Sequence, residues 1–149
     1  MNLKQQLYQQ CIDYVQQRLA TIEKTIQSHQ KALSSETKSS AGDKHETGRA
    51  MLQLEMEKAG QQLASVQQMK EILAKIDPSK KSSIASLGTI VTTNLGSYFL
   101  SISAGQLKVN QGVFFTISPS SPIGKLLLGK KEGEALIWNG KKIEIHQIS

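Results

Sequence analysis

Hydrophobic residues recur with helical spacing through the first half of the chain. One stripe steps alternately by four and three residues, the heptad spacing of a helix that packs along a single seam. Its members are Tyr8, Ile12, Val15, Leu19, Ile22, Ile26, His29 and Leu33. A second stripe keeps this spacing to Val66 and continues after a slip of register. Its members are Leu52, Met56, Ala59, Leu63, Val66, Met69, Leu73 and Ile76.

The residues between and after these stripes define two helix ends. Residues 34–42 are poor helix formers, and Pro78 forces the preceding residue out of helical geometry. The pattern therefore predicts an antiparallel helical hairpin, a coiled coil, over residues 1–77. A parallel homodimeric coiled coil is the alternative, which the central turn disfavours.

The periodicity changes beyond residues 78–83, which have the composition of a linker. Five short β-branched, aromatic or alternating runs predict strands: Ile84–Thr93, Ser97–Ser103, Val113–Ile117, Ala135–Trp138 and Lys141–Ile148. Asn139-Gly140 between the last two is a two-residue hairpin signal. Ser121, Pro122 and Gly129 suit the cap, first turn and end of one short helix. The predicted fold class is α+β, with a small antiparallel sheet domain over residues 84–149.

Charge is distributed unevenly along the chain. Residues 1–77 hold 10 Lys/Arg and 9 Asp/Glu, which gives +1, whereas residues 78–149 hold 8 Lys and 3 Glu, which gives +5. The basic half favours acidic partners, although lysines without arginine are a weak nucleic-acid signal. The single Cys11, the polar N-terminus and the lack of a long apolar run predict a cytoplasmic protein with no membrane association.

One acidic pair stands out between the two helical stripes. Asp43 and Glu46 are three residues apart, which on a helix places their Cβ atoms about 5–6 Å from each other. Two such carboxylates can share a divalent cation, or they can form a helix N-cap in which Asp43 caps and Glu46 bonds back. Lys38, Lys44 and Arg49 flank the pair as possible contacts to phosphates, or simply as balancing charge. No nucleophile with a base, phosphate loop or Cys/His cluster is visible, so a self-sufficient enzyme is not predicted.

The order of these parts resembles the Gre-type transcript cleavage factors of bacterial RNA polymerase. The residues that carry the resemblance are Gly42-Asp43-Lys44-His45-Glu46 at the tip and Ser121-Pro122-Ile123-Gly124 in the C-terminal half. Leu128-Gly129-Lys130-Lys131, Gly133 and Ile143–Ile148 extend it, and the shared layout covers nearly the whole chain.

The resemblance implies an FKBP-like C-terminal domain that docks on RNA polymerase through Ser121, Pro122 and Ile123. It also implies that the hairpin enters the secondary channel of the polymerase. There Asp43 and Glu46 would help to hold the second Mg²⁺ during hydrolysis of a backtracked transcript. The protein would be a monomer without a cofactor of its own, meeting nascent RNA only within the elongation complex.

This sequence departs from the family just after the tip. The family usually continues Glu-Asn-Ala-Glu-Tyr, whereas this chain reads Glu46-Thr47-Gly48-Arg49-Ala50. A non-cleaving regulator that occupies the channel is therefore a second hypothesis. A third is a prolyl isomerase with a coiled-coil handle, which would need an aromatic pocket. The available aromatic residues are Tyr98, Phe99, Phe114, Phe115 and Trp138.

Overall fold

Two long helices precede a sheet in this protein. The structure, a computed structural model, describes residues 1–38 and 42–149, with the backbone alone for residues 36–38 and 42–46. The helices are α1 (Leu3–Lys38) and α2 (Gly42–Ala74). The elements after them are β1 (Ile90–Thr93), β2 (Gly96–Leu100), β3 (Gly105–Val109), β4 (Gly112–Ile117), α3 (Pro122–Leu127), β5 (Ala135–Trp138) and β6 (Lys141–Ile148).

The described chain divides into two compact units. Residues 15–69 form the helical unit, and residues 1–14 together with 70–149 form the sheet unit. Each long helix therefore contributes to both units. None of the described helices has the length and apolar character that crossing a bilayer requires.

Helices α1 and α2 form the predicted helical hairpin. All sixteen residues of the two stripes are buried or half-buried, so the predicted seam is confirmed. In the helical unit its least exposed members are Val15, Ile22, Ala59 and Val66. The turn was predicted over residues 34–42, but residues 34–38 belong to α1 and Gly42 belongs to α2, while residues 39–41 lie outside the part of the chain that the structure describes. Ser and Thr have only modestly lower helix propensities than their neighbours, which is too little to end a helix that packs along a seam.

The sheet has six strands in the order β3-β4-β2-β1-β6-β5. Four of its five neighbouring pairs are antiparallel, as predicted, but β2 and β4 run parallel. The parallel pair arises because the chain forms β3, which the sequence analysis missed, before it returns as β4. Strand β1 begins at Ile90 rather than at Ile84, and Ile84 forms only an isolated bridge to Lys131.

The core of the sheet unit lies between the sheet and α3. Leu100, Leu127 and Ile143 are completely buried there, together with Val91 and Ile145. Leu127 is the residue through which α3 packs on the sheet. Burying such side chains contributes about 1.5–3 kcal/mol each, so this cluster stabilises the unit substantially.

The start of α1 belongs to the same unit. The Tyr8 hydroxyl donates to the Leu73 carbonyl oxygen at 2.8 Å, and the Gln10 side-chain amide donates to the Lys108 carbonyl oxygen at 2.9 Å. Cys11 is completely buried, with its sulfur 3.8 Å from the Ser101 hydroxyl. The first three turns of α1 are thus fixed on two sides, by α2 and by the sheet.

Candidate functional site

The acidic pair lies at the beginning of α2. Because this helix starts at Gly42, Asp43 falls in its first turn and Glu46 follows about one turn later. The side chains of Lys38, Asp43, Lys44 and Glu46 lie outside the part of the chain that the structure describes, so their predicted roles stay predictions. Carboxylates are favoured in a first helical turn, where the helix dipole is positive, and their oxygens are the ligand type that Mg²⁺ prefers.

Arg49 is the one predicted tip contact with a described side chain. It is exposed and lies in the second turn of α2. Among the residues with described side chains, no group of three or more His, Cys, Asp or Glu could hold a metal ion.

The predicted docking segment is built around the cap of α3. Ser121 has extended geometry (φ −67°, ψ 159°), and its hydroxyl accepts from the Gly124 N–H at 3.1 Å. The same hydroxyl donates to the Ser118 carbonyl oxygen at 2.6 Å. Pro122 occupies the first helical turn, where its missing N–H costs nothing. The predicted cap at Ser121 is confirmed, and its hydroxyl is committed to two bonds within the chain.

Position 124 has no room for a side chain, so only glycine fits there. A Cβ atom there would lie 2.1 Å from the Ser118 carbonyl oxygen and 2.8 Å from the Ser121 hydroxyl oxygen. The chain before α3 therefore folds back directly over the helix backbone. This close approach holds the exposed face of the segment in one geometry, which a docking surface requires.

The outer face of this segment is apolar with a basic residue beside it. Pro122, Leu126 and Leu128 are exposed, whereas Ile123 is half-buried and packs against the core. Lys125 lies exposed in the last turn of α3. Of the three residues predicted to bind a partner, Pro122 offers the largest free surface, while Ser121 and Ile123 hold it in place.

The aromatic residues are divided between the two faces of the sheet. Tyr98 and Phe115 are register partners of the parallel β2–β4 pair, and their ring centroids lie 5.7 Å apart. They line a shallow cavity of about 440 Å³ with Leu95 and Ile117. Phe99 is completely buried, on the opposite face of β2 from Tyr98. Burial raises the pKa of Tyr98 above its ordinary value.

A cluster of lysines in the sheet unit was missed by the sequence analysis. Lys4, Lys75, Lys80 and Lys81 line one cavity, although Lys4 is far from the others in sequence. Lys4 is also the only charged residue that is buried among those with described side chains. One signal was available: Lys4, Leu7 and Cys11 step by three and four, as the residues of a second buried stripe would.

Comparisons with known proteins give one structural likeness. The chain matches no protein-family model and no curated protein. A solved structure described as that of the transcription factor Gfh1 superposes with a TM-score of 0.32 at 18% sequence identity, covering 94% of this chain and 90% of that chain. At this level of similarity, neither fold nor function can be inferred from the superposition.

Proposed function

We propose that this protein is a transcription elongation factor that binds RNA polymerase and acts inside its secondary channel. The observation that carries the proposal is the position of Asp43 and Glu46 at the beginning of α2, about one helical turn apart. Helices of 36 and 33 residues are each about 50 Å long, which suits a hairpin that reaches a recessed active site. The resemblance of the tip sequence to the Gre-type factors supports the same function.

The sheet unit would supply the docking surface. Pro122, Leu126 and Leu128 form a small exposed apolar face, held rigid by the Ser121 cap and the close approach at Gly124. A face that is fixed before binding loses little conformational entropy when a partner covers it.

The role of the acidic pair would be to lend ligands to the polymerase. Carboxylate oxygens one helical turn apart can complete the coordination of a weakly held second Mg²⁺, the ion that promotes attack of water on a phosphodiester in two-metal sites. Asp43 and Glu46 would bind and orient, while the polymerase remains the catalyst. The chain would therefore have no hydrolytic activity by itself.

Cleavage of a backtracked transcript in a reconstituted elongation complex tests this proposal. The double variant Asp43→Asn with Glu46→Gln should lose transcript cleavage while it still competes with the unmodified protein for the polymerase. The matched control is Glu55→Gln with Glu57→Gln, which removes two exposed acids from the same helix. Full cleavage by the first double variant would reject the role of the pair.

A non-cleaving channel regulator is the second candidate, and the residues after the tip favour it. Gly48 stands in the second turn of α2 and costs up to about 1 kcal/mol of helix stability relative to alanine. Thr47, Arg49 and Ala50 also stand where the family has asparagine, a second glutamate and tyrosine. Under this alternative the protein would slow RNA synthesis and displace a cleaving factor, yet leave arrested transcripts intact. The same reconstituted assay separates the two candidates.

A further inference from the structure

The lysine-lined cavity has a volume of about 560 Å³ and lies entirely within the sheet unit. Lys4 comes from the first turns of α1, and Lys75, Lys80 and Lys81 come from the segment that follows α2. Asp77 is the one acidic residue that lines it. Four ammonium groups and one carboxylate give the cavity a formal charge of +3.

Lys4 makes this cluster more than a set of surface lysines. Its side chain is only 7% exposed, and its ammonium donates to the Lys80 carbonyl oxygen at 2.7 Å. Burial and the neighbouring Lys81 lower the pKa of Lys4, whereas Asp77 raises it. An ammonium carries three N–H donors, and a buried charge is stable only when it is paired. One oxygen of the only carboxylate in the cavity, that of Asp77, accepts from the backbone N–H and the hydroxyl of Ser79, so a single negative charge faces four ammonium groups.

The walls of the cavity are fixed by backbone hydrogen bonds. On one side, the Lys80 N–H donates to the Asp77 carbonyl oxygen at 3.1 Å. On the other side, the Ser86 N–H donates to the Thr89 hydroxyl at 3.1 Å, and the Gly88 N–H donates to the Leu100 carbonyl oxygen at 2.7 Å. The lysines therefore stand around a pre-formed space of mostly polar character.

We propose that this cavity binds a diphosphate group, either as free pyrophosphate or as part of a nucleoside diphosphate. A phosphoryl group carries about −1.5 to −2 charges near neutral pH, so two adjacent groups carry about −3 and match the cavity. Lysines bind phosphate as point charges, and their flexible stems adapt to a group of this size. The proposal is independent of the polymerase function, because it concerns the free protein.

Isothermal titration of the free protein at low ionic strength tests the proposal, with inorganic phosphate, inorganic pyrophosphate and a nucleoside diphosphate as separate ligands. We expect one saturable site for pyrophosphate, at least tenfold weaker binding of inorganic phosphate, and loss of tenfold or more in affinity in Lys81→Gln. Lys4→Met replaces the buried side chain with an unbranched, uncharged one that is a single atom shorter, and it should have the same effect. Lys141→Gln, an exposed lysine of the β5–β6 hairpin, is the control and should bind normally.

The remaining outcomes each decide the question. Tighter binding of the nucleoside diphosphate than of pyrophosphate would assign the site to nucleotides, and equal binding would assign it to the diphosphate alone. Non-saturable binding that Lys141→Gln weakens as much as Lys81→Gln would overturn the proposal. Binding of an oligonucleotide but not of pyrophosphate would also overturn it, and would identify a nucleic-acid backbone as the ligand.

Discussion

Replacing Gly124 with alanine should destabilise the sheet unit strongly. The added Cβ would lie 2.1 Å from the Ser118 carbonyl oxygen and 3.0 Å from Pro119 Cα, both of them backbone atoms that cannot rotate away. The chain before α3 must therefore shift, and with it the Ser121 hydroxyl that accepts from the Gly124 N–H. The clash and the weakened cap act on the same helix.

The expected magnitude follows from three contributions. Overpacking against fixed atoms costs up to about 3 kcal/mol, and loss of the cap costs about 1 kcal/mol more. The better helix propensity of alanine returns about 1 kcal/mol. The net loss of about 3 kcal/mol should lower the melting temperature of a unit of this size by roughly 12–24 °C.

Gly60 provides a matched control for the same chemical change. It lies in α2 within the helical unit, and a Cβ there would meet nothing within 4 Å. Gly60→Ala should therefore stabilise that unit by about 0.5–1 kcal/mol. Thermal melts followed by Trp138 fluorescence for the sheet unit, and by circular dichroism for the helices, compare the two variants. A loss below about 3 °C in Gly124→Ala would refute the close approach.

Three further predictions concern single side chains of the sheet unit. Burial raises the pKa of the Cys11 thiol from 9.0 to about 11. At pH 8 this thiol should therefore react with iodoacetamide at least 100-fold more slowly in the native than in the denatured protein, and its reaction should become faster as the pH approaches 11. Equal rates in the native and denatured protein would contradict its burial. Ser121→Ala should lower the free energy of unfolding by about 1 kcal/mol through loss of the cap, as measured in urea titrations. Ser121→Asp can accept from the Gly124 N–H but cannot donate to the Ser118 carbonyl oxygen, so it should recover only part of this loss. Tyr8→Phe removes the 2.8 Å bond to the Leu73 carbonyl oxygen and should cost about 1 kcal/mol in the same titrations, whereas an unchanged midpoint would show that this bond adds nothing.

The helices and the last hairpin could be predicted because their signals are local. A heptad stripe records which face of a helix is buried, and all sixteen stripe residues are at least half-buried. Strands β5 and β6 have the predicted bounds, since Asn139 and Gly140 take up positive φ values of 50° and 76° in the turn between them.

Strand β3 and the parallel pair could not be predicted in the same way. The residues of β3, Gly105–Val109, include two with long polar side chains, and only Val109 is fully buried. Nothing in such a segment distinguishes an edge strand from a loop. The register that sets Tyr98 beside Phe115 depends on where β3 turns the chain, and that is a non-local property.

The predicted functional residues also differ in how far the local sequence determines their role. The cap at Ser121 follows from a local pattern of Ser, Pro and Gly, and the structure contains it. The roles of Asp43 and Glu46 depend on what their carboxylates meet in a partner. Their position at the beginning of α2 supports these roles, and the cleavage assay tests them.

The lysine-lined cavity shows that the net charge of a sequence segment can understate the local charge at a site in the folded protein. Only two of the eight lysines of residues 78–149 line the cavity, and Lys4 and Lys75 come from the half whose net charge is only +1. A variant with neutral residues at both Lys80 and Lys81 has the same net charge as a variant with neutral residues at both Lys141 and Lys142. If anion affinity followed net charge, both pairs of substitutions would weaken it equally. Lys80 and Lys81 line the same cavity as the buried Lys4, whereas Lys142 lies beside the exposed carboxylate of Glu144. The arrangement around Lys4 therefore predicts that only the substitutions at Lys80 and Lys81 abolish anion binding in the cavity.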